Sequence, residues 1–280
     1  MIRATPSGFK ITADGFPVYL DNWAIGDLAE GDPSRRRRFI DTVCTGGDLL
    51  FSVANIVELA ELRGPSFCAV KTFMDELGPH WSPITIDLPR VMHRERKGVG
   101  SPETYISTDL LDAYVRNRKT DFSPVAGKII PPYEAFVSLG ALVGWIAHSE
   151  SPFPKQAHEF DVVLKTIKRR IGPKQNRSWL NRVYPAVTFD QSRPATFAHR
   201  SLMRTVIMES GQLKDGDAMD FFHAVLGSAF ARFATLDKNW KRRVEALPKP
   251  NGLARIYDPS QLDQMVTDIE LALKQRAVTP

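Results

Sequence analysis

Short apolar runs alternate with longer amphipathic stretches at both ends of the chain. Each run has the length of a buried strand and stops at a polar or turn-forming residue. The predicted strands are residues 17–20, 48–53, 84–88, 231–236 and 253–257. The predicted helices are residues 22–30, a segment capped by Ser34 and ended by Gly46, and residues 54–63, 66–77, 196–210, 217–229, 238–247 and 260–275. This alternation predicts an α/β fold, a three-layer α/β/α sandwich with a parallel sheet of about five strands.

The middle of the chain has a different pattern. Helical periodicity recurs in three segments, which prolines separate and which include no convincing strand. These segments are residues 108–118, 133–148 and 158–170. We therefore expect a helical insertion or lid over residues 97–195, which would interrupt one discontinuous domain formed by residues 15–90 and 200–275.

The composition is that of an ordinary globular protein. The chain has 280 residues, of which 43% are apolar and 25% charged, enough for a sizeable core. Its two cysteines, Cys44 and Cys68, cannot form a disulfide framework, so we expect a reduced, cytoplasmic protein. The N-terminal sequence lacks the apolar centre of a signal peptide. The longest apolar stretch, residues 135–147, is too short to span a bilayer, so neither secretion nor membrane insertion is expected.

Positive charge is concentrated in one part of the chain. The net charge is +5, but residues 151–200 carry ten Lys or Arg against three acidic residues. That segment is therefore +7, and the remainder of the chain is −2. Such a distribution suits a polyanion that binds beside an acidic site. The alternative, that these cations lie on solvated helix faces, stays open.

Three acidic residues follow predicted strands. Asp21 comes directly after PVYL, Asp237 directly after ARFATL, and Glu58 lies in the first turns of the helix after LLFSV. Because the carboxyl ends of parallel strands share one crevice, these side chains are expected to meet there. Asp220 lies on the helix that precedes the ARFATL strand, with Asp217 three residues earlier on the same face. Clustered carboxylates repel one another unless a hard cation binds them, which predicts a Mg²⁺ or Mn²⁺ site for phosphodiester chemistry.

Each of these side chains also has a purely structural interpretation. A helix N-cap, which Asp favours, is the alternative for Asp21, Asp217 and Asp237. Glu58 shares a polar helix stripe with Asn55 and Glu61, which favours a solvent-facing position. His223 is most simply a core histidine. The metal-site hypothesis therefore depends on the joint placement of the acids.

Three motifs in this order resemble the PIN domain (PilT N-terminus) family, which contains many metal-dependent ribonucleases, including toxins of toxin–antitoxin pairs. The strongest motif is DAMDFFHAVLGSAFARFATLDKNW, residues 217–240. It is similar to the family's pattern of an Asp, a His three residues later, small helix residues and a strand that ends T-x-D. VYLD resembles the family's first strand with its Asp, and SVANIVEL (residues 52–59) resembles the segment that supplies a Glu. The resemblance covers residues 15–90 and 200–275, and not the insertion.

The resemblance implies a role for each matching residue. The metal-binding and catalytic acids of the family fall on Asp21, Glu58, Asp220 and Asp237. Asp217 would be a fifth ligand or would support the ligands from behind. Thr235 matches the hydroxyl that helps to organise the site, and Asn239 is a polar candidate at its mouth.

The activity that the resemblance implies is Mg²⁺- or Mn²⁺-dependent hydrolysis of RNA phosphodiester bonds by an endoribonuclease. The substrate would be single-stranded or structured RNA, and the implied partners are an antitoxin-like protein inhibitor and a second copy of the chain in a homodimer. Candidate phosphate contacts are Lys168, Arg169, Arg170, Arg35 and Arg38. For the arginine run at residues 35–38, a solvated helix start is the alternative.

Functions of three other classes fit the sequence less well. A non-catalytic RNA-binding or protein-interaction module would keep the fold, although the presence of all four acids argues against it. A phosphohydrolase of the phospho-aspartate type needs a second Asp two residues after the first, where this chain has Trp23. A dinucleotide-binding enzyme would open a helix with G-x-G-x-x-G, and this motif does not occur in the sequence.

Overall fold

The computed structural model describes most of the chain. The described residues are 1–5, 8–12, 15–59, 61–109, 111–112, 138–148, 159, 161–166, 168–169, 177–209, 213–214, 216–248 and 250–278. The chain divides into two compact units. Unit 1 comprises Met1–Thr85, Ile106–Glu150 and Asp263–Pro280, and unit 2 comprises Ile86–Tyr105 and Ser151–Leu262.

Five parallel strands and one antiparallel hairpin are present among the described residues. The hairpin is β1 (Ile2–Thr5) with β2 (Gly8–Ile11). Unit 1 holds three parallel strands in the order β5-β4-β3, which are β3 (Phe16–Tyr19), β4 (Gly47–Ser52) and β5 (Trp81–Ile84). Unit 2 holds the parallel pair β6 (Phe233–Thr235) and β7 (Arg255–Tyr257). The five parallel strands belong to one sheet.

Helices connect these strands, as parallel pairing requires. The helices that are described without interruption are, in chain order, α1 (Asn22–Glu30), α2 (Pro33–Gly46), α3 (Val53–Leu59), α4 (Gly64–Glu76), α5 (Leu88–Arg96), α6 (Leu139–His148), α7 (Arg177–Val183), α8 (Pro194–Met208), α9 (Asp217–Phe230), α10 (Lys238–Glu245) and α11 (Leu262–Val278). Among the described residues, no helix combines the length and the apolar character that crossing a bilayer requires.

The core of unit 1 is built around β4. All six residues of this strand are buried, because β3 and β5 pair with its two edges and helices cover the sheet. Its register with β3 runs from Phe16↔Gly47 to Tyr19↔Leu50. Such a strand needs an apolar run rather than an alternating one, and LLF supplies it. The carboxyl end of β4 leads directly into α3, and that of β3 leads into α1.

The core of unit 2 forms where α9 packs on α8 and α10. Phe221 and Trp240 are buried there in an edge-to-face contact with ring centroids 5.9 Å apart. The buried Glu95 carboxylate accepts hydrogen bonds from Ala195 N (2.8 Å) and Thr196 N (2.8 Å). It therefore caps α8 from outside that helix and joins α5 to it.

The expected fold class is confirmed, with corrections to individual elements. The second helix is capped by Asp32, whose side chain accepts from Ser34 N, and not by Ser34 itself. The third strand is Trp81–Ile84 rather than residues 84–88, because the ladder with β4 ends at Ile84 and Asp87 then caps α5. The expected domain bounds stay a prediction, and residues 113–137, 149–158 and 170–176 of the expected insertion lie outside the described part of the chain.

Candidate metal centre

The carboxylates of Asp21 and Glu58 lie close together in unit 1. Asp21 follows β3 and is the N-cap of α1, and Glu58 belongs to α3, which follows β4. Asp21 is 7% exposed, and Glu58 is half-buried. An oxygen of each carboxylate lies within 4.8 Å of the other. Parallel pairing of β3 with β4 produces this arrangement, because it brings the carboxyl ends of both strands to one edge of the sheet.

Asn22 contacts both acids. Its backbone N–H donates to Asp21 Oδ1 at 2.8 Å, and its side-chain amide donates to Glu58 Oε2. Hydrogen bonds of this kind stabilise ionised carboxylates and fix their orientation.

Asn55 links the ends of β3 and β4 from inside the unit. Its side chain is fully buried, and its Nδ2 donates to Leu20 O (2.8 Å) and to Asn22 Oδ1 (3.4 Å). Its Oδ1 accepts from Ser52 N (3.0 Å) and Ser52 Oγ (2.9 Å). The expectation of a solvent-facing stripe is therefore wrong for Asn55, although Glu61 is exposed as such a stripe requires. Asn55 is a positioning residue behind the acids.

A buried tyrosine completes this network. The Tyr19 hydroxyl lies 3.2 Å from Ser52 Oγ, and Tyr19 is 0% exposed. Burial raises the pKa of this phenol well above its usual value, and the negative charges of Asp21 and Glu58 raise it further. Tyr19 therefore stays a neutral hydroxyl beside two acids and adds no third negative charge.

In unit 2, α9 presents three candidate ligands with a spacing of three residues. Asp217, Asp220 and His223 consequently lie along one helix face. His223 is fully buried, whereas Asp217 and Asp220 are half-buried. Asp217 Oδ2 accepts a hydrogen bond from Lys214 N at 2.6 Å, so this acid also fixes the entry into the helix.

Asp237 follows β6 and caps α10. Its Oδ1 accepts from Asn239 N (2.6 Å) and Trp240 N (2.8 Å). The N-cap interpretation is thus correct for Asp237, as it is for Asp21. It does not exclude metal binding, because both hydrogen bonds use the same carboxylate oxygen. Thr235 is fully buried in β6, and Asn239 is exposed.

Most of the cations expected to contact RNA already have partners. Arg35 pairs with Asp27 and Asp263, and Arg38 donates to both carboxylate oxygens of Glu270. Phosphate would have to compete with these carboxylates for either arginine.

The expected phosphate contacts at residues 168–170 differ from one another. Lys168 Nζ donates to Val206 O at 2.8 Å, and partial burial lowers the pKa of this lysine. Arg169 is exposed, and Arg170 lies outside the described residues. Arg169 is therefore the best placed of this group for a ligand in solution.

No family model, curated protein or solved structure matches this chain. The PIN resemblance accordingly depends on the motifs alone. Sequence reasoning identified Asp21 and Glu58 but missed the residues that hold them. The signal for Asn22 was its position directly after Asp21, and the signal for Asn55 was its position one helical turn before Glu58.

Proposed function

We propose that the protein is a metal-dependent endoribonuclease of the PIN type. The observation that supports this most is the Asp21–Glu58 pair, two carboxylates within 4.8 Å of one another at the carboxyl edge of parallel strands. Without a cation, two such groups repel one another in a partly buried setting. Their closeness favours a bound divalent ion.

The donor atoms of the pair fit Mg²⁺ or Mn²⁺. Both ions prefer oxygen ligands, and Mg–O distances of about 2.1 Å allow two ligand oxygens up to about 4 Å apart on one ion. The upper bound of 4.8 Å on the separation of the Asp21 and Glu58 oxygens is close to that limit. Cys44 and Cys68, the thiols that a softer metal would prefer, belong neither to this pair nor to α9.

The motif resemblance adds Asp220 and Asp237 to the proposed acidic ligands, with Asp217 as a further ligand or a support. Within unit 2, Asp217 and Asp220 lie on α9, and Asp237 follows β6.

The chain's own residues would orient the substrate and the ligands. In such sites the divalent ion activates water and neutralises phosphodiester charge. Asn22 and Asn55 would hold the Asp21 and Glu58 carboxylates in a fixed direction, and the neutral Tyr19 would keep the local charge low enough for an RNA phosphate to approach. Arg169 would contact a neighbouring phosphate.

RNA, single-stranded or structured, is the proposed substrate. An antitoxin-like inhibitor, a homodimer and a cytoplasmic location belong to the same proposal. Free Cys44 and Cys68 support the last of these, because reducing compartments keep thiols unpaired.

The test is RNA cleavage and Mn²⁺ binding by Asp21→Asn, Glu58→Gln and the control Glu61→Gln. Asn also caps helices well, so Asp21→Asn should fold. Glu61 is an exposed carboxylate three residues from Glu58. The Glu61→Gln substitution therefore makes the same chemical change as Glu58→Gln, but outside the site. We expect cleavage with Mn²⁺ from the wild type and Glu61→Gln, and none from the other two.

Thermal unfolding gives a second readout, since an ion that binds only the folded state raises Tm. Saturating Mn²⁺ should raise the Tm of the wild type and Glu61→Gln but not of Glu58→Gln. RNA binding without cleavage at any Mn²⁺ concentration would contradict the proposal and favour a non-catalytic RNA-binding module. Equal cleavage by all variants would show that the acids are not the site.

A further inference from the structure

A cavity of about 740 Å³ opens in unit 1 at the end of the sheet where the parallel strands begin. Six of its lining residues, Arg3, Lys10, Cys44, His80, Leu273 and Arg276, define what we call the basic pocket. His80 directly precedes β5, and Arg3 and Lys10 come from the β1–β2 hairpin. The pocket is distinct from the Asp21–Glu58 pair, which lies at the opposite, carboxyl end of β3 and β4.

The pocket concentrates positive charge. Arg3, Lys10 and Arg276 line it, and none of its described lining residues is acidic. Burial lowers the pKa of His80, and the nearby N-terminal charge lowers it further, so this residue adds little positive charge to the pocket. Asp48 is buried and hydrogen-bonded to Ser82 Oγ at 2.5 Å and to the Met1 nitrogen at 2.7 Å. This carboxylate therefore pairs with the nitrogen of Met1, which itself lines the pocket.

Two of the cations face each other across the hairpin. Arg3 and Lys10 are direct cross-strand partners in the antiparallel register, so their side chains lie on the same face of the ribbon. Like charges directly opposite one another destabilise a strand pair. Both are exposed to solvent and line the same cavity. An anion between them would turn this repulsion into two charge-assisted hydrogen bonds.

Glycines form the floor of the pocket. A Cβ on Gly15 would lie 2.5 Å from Gly47 O, and a Cβ on Gly46 would lie 2.5 Å from Leu273 Cδ2. At position 15 only glycine permits the two backbone segments to approach so closely, whereas the Leu273 side chain could move away from a Cβ on Gly46. The floor thus consists of backbone and the apolar Leu273 side chain. The half-buried Cys44 also lines the pocket.

We propose that the basic pocket binds a phosphorylated small molecule of nucleotide size. Its phosphates contact Arg3, Lys10 and Arg276, and its ring packs on Leu273 and the glycine floor. The volume falls within the range of about 300–1,000 Å³ that is typical of small-molecule sites. This binding is independent of the proposed nuclease activity, because it uses neither metal nor the acids.

Titration calorimetry in EDTA with AMP, ATP and inorganic phosphate tests the proposal. The pocket variant is the double change Arg3→Glu/Lys10→Glu. The matched control is Arg37→Glu/Lys274→Glu, which alters the net charge equally at exposed positions of unit 1 outside the pocket. We expect a nucleotide to bind the wild type and the control alike, and the pocket variant to lose about tenfold or more in affinity as attraction becomes repulsion.

A Glu58→Gln variant separates this site from the acids, and it should bind the nucleotide as the wild type does. Loss of binding in that variant would place the nucleotide at the acids and overturn the proposal. Equal losses in the two double variants would show non-specific attraction and would also overturn it. Inorganic phosphate that binds as tightly as AMP would contradict the nucleotide-sized ligand, and no binding of any probe at 1 mM would contradict the site itself.

Discussion

The side-chain amide of Asn22 donates a hydrogen bond to the Glu58 carboxylate, and the backbone N–H of the same residue donates to Asp21. The first residue of α1 thus connects an acid that follows β3 with an acid that lies on α3. The two carboxylates belong to different βα connections, and this residue fixes their relative orientation.

Replacing Asn22 should weaken metal binding more than folding. In Asn22→Ala the Glu58 carboxylate loses its amide donor and gains rotational freedom, so the Kd for Mn²⁺ should rise by about 10–100-fold. Calorimetric titration with Mn²⁺ measures the change. Asn251→Ala, an exposed amide in the short helical turn Pro250–Gly252, is the control. An unchanged Kd in Asn22→Ala would show that Glu58 does not need this contact to bind the ion.

Asn55→Ala should, in contrast, destabilise the fold itself. The change leaves Ser52 N, Ser52 Oγ and Leu20 O without the partners that this buried amide provides. Buried groups left unsatisfied cost about 1–3 kcal/mol each before relaxation, so we expect the free energy of unfolding to fall by about 2–3 kcal/mol. Urea unfolding followed by circular dichroism measures it. A loss below about 0.5 kcal/mol would be typical of a surface substitution and would contradict the structural role.

Local signals predict the helices better than the strand ends. The expected helix at residues 22–30 matches α1, because Asp21 caps its start and Gly31 follows its end. The β1–β2 hairpin was not predicted, because its strands have only four residues each. The sequence between them also lacks a recognisable signal for a two-residue turn. β5 was placed too late, because its apolar residues continue beyond the point where the ladder with β4 ends. Pairing between strands, rather than local sequence, sets that limit.

The acids of the candidate site were predictable and their support was not. Strand order alone suffices to bring Asp21 and Glu58 to one edge of the sheet. The polar spacing of Asn55, Glu58 and Glu61 is that of an exposed helix face, yet the three residues are buried, half-buried and exposed in turn. The difference comes from α1 and α6, which pack on α3. Which side of a short helix they cover cannot be read from its own residues.

Gly15→Ala should destabilise the protein because the backbone of Gly47 occupies the space that a side chain needs. The new Cβ would lie 2.5 Å from Gly47 O, and neither backbone segment can yield without disturbing the register of β3 with β4. We expect a loss of about 1–3 kcal/mol.

Gly26→Ala is the matched control for that change. Among the described residues, no atom beyond its chain neighbours and its own helix backbone lies within 4 Å of a Cβ at Gly26. This residue is inside α1, where alanine is favoured over glycine by about 1 kcal/mol. The two Gly→Ala changes should therefore shift Tm in opposite directions in calorimetric scans. A destabilised Gly26→Ala, or a neutral Gly15→Ala, would contradict the packing around these glycines.

Stability should also depend on pH through His199 in unit 2. Burial, with a smaller contribution from the charge of Arg200, lowers the pKa of His199 to about 4, and its ring lies edge-on to Phe221. In the unfolded chain the pKa of this histidine is about 6.5. Between pH 4 and pH 6.5 the unfolded state therefore binds more protons than the folded state. The stabilising contribution is fully present above pH 6.5 and is lost as the pH falls towards 4.

The size of this effect follows from the difference between the two pKa values and is about 2–3 kcal/mol by pH 4. His199→Leu removes the titrating group and should flatten the slope of the unfolding free energy between pH 6.5 and 4.5, whereas the exposed His93→Gln should retain it. Urea unfolding at a series of pH values measures each slope. Because the other titrating groups are common to all three proteins, parallel slopes in His199→Leu and the wild type would mean that the folded protein accommodates a charged His199.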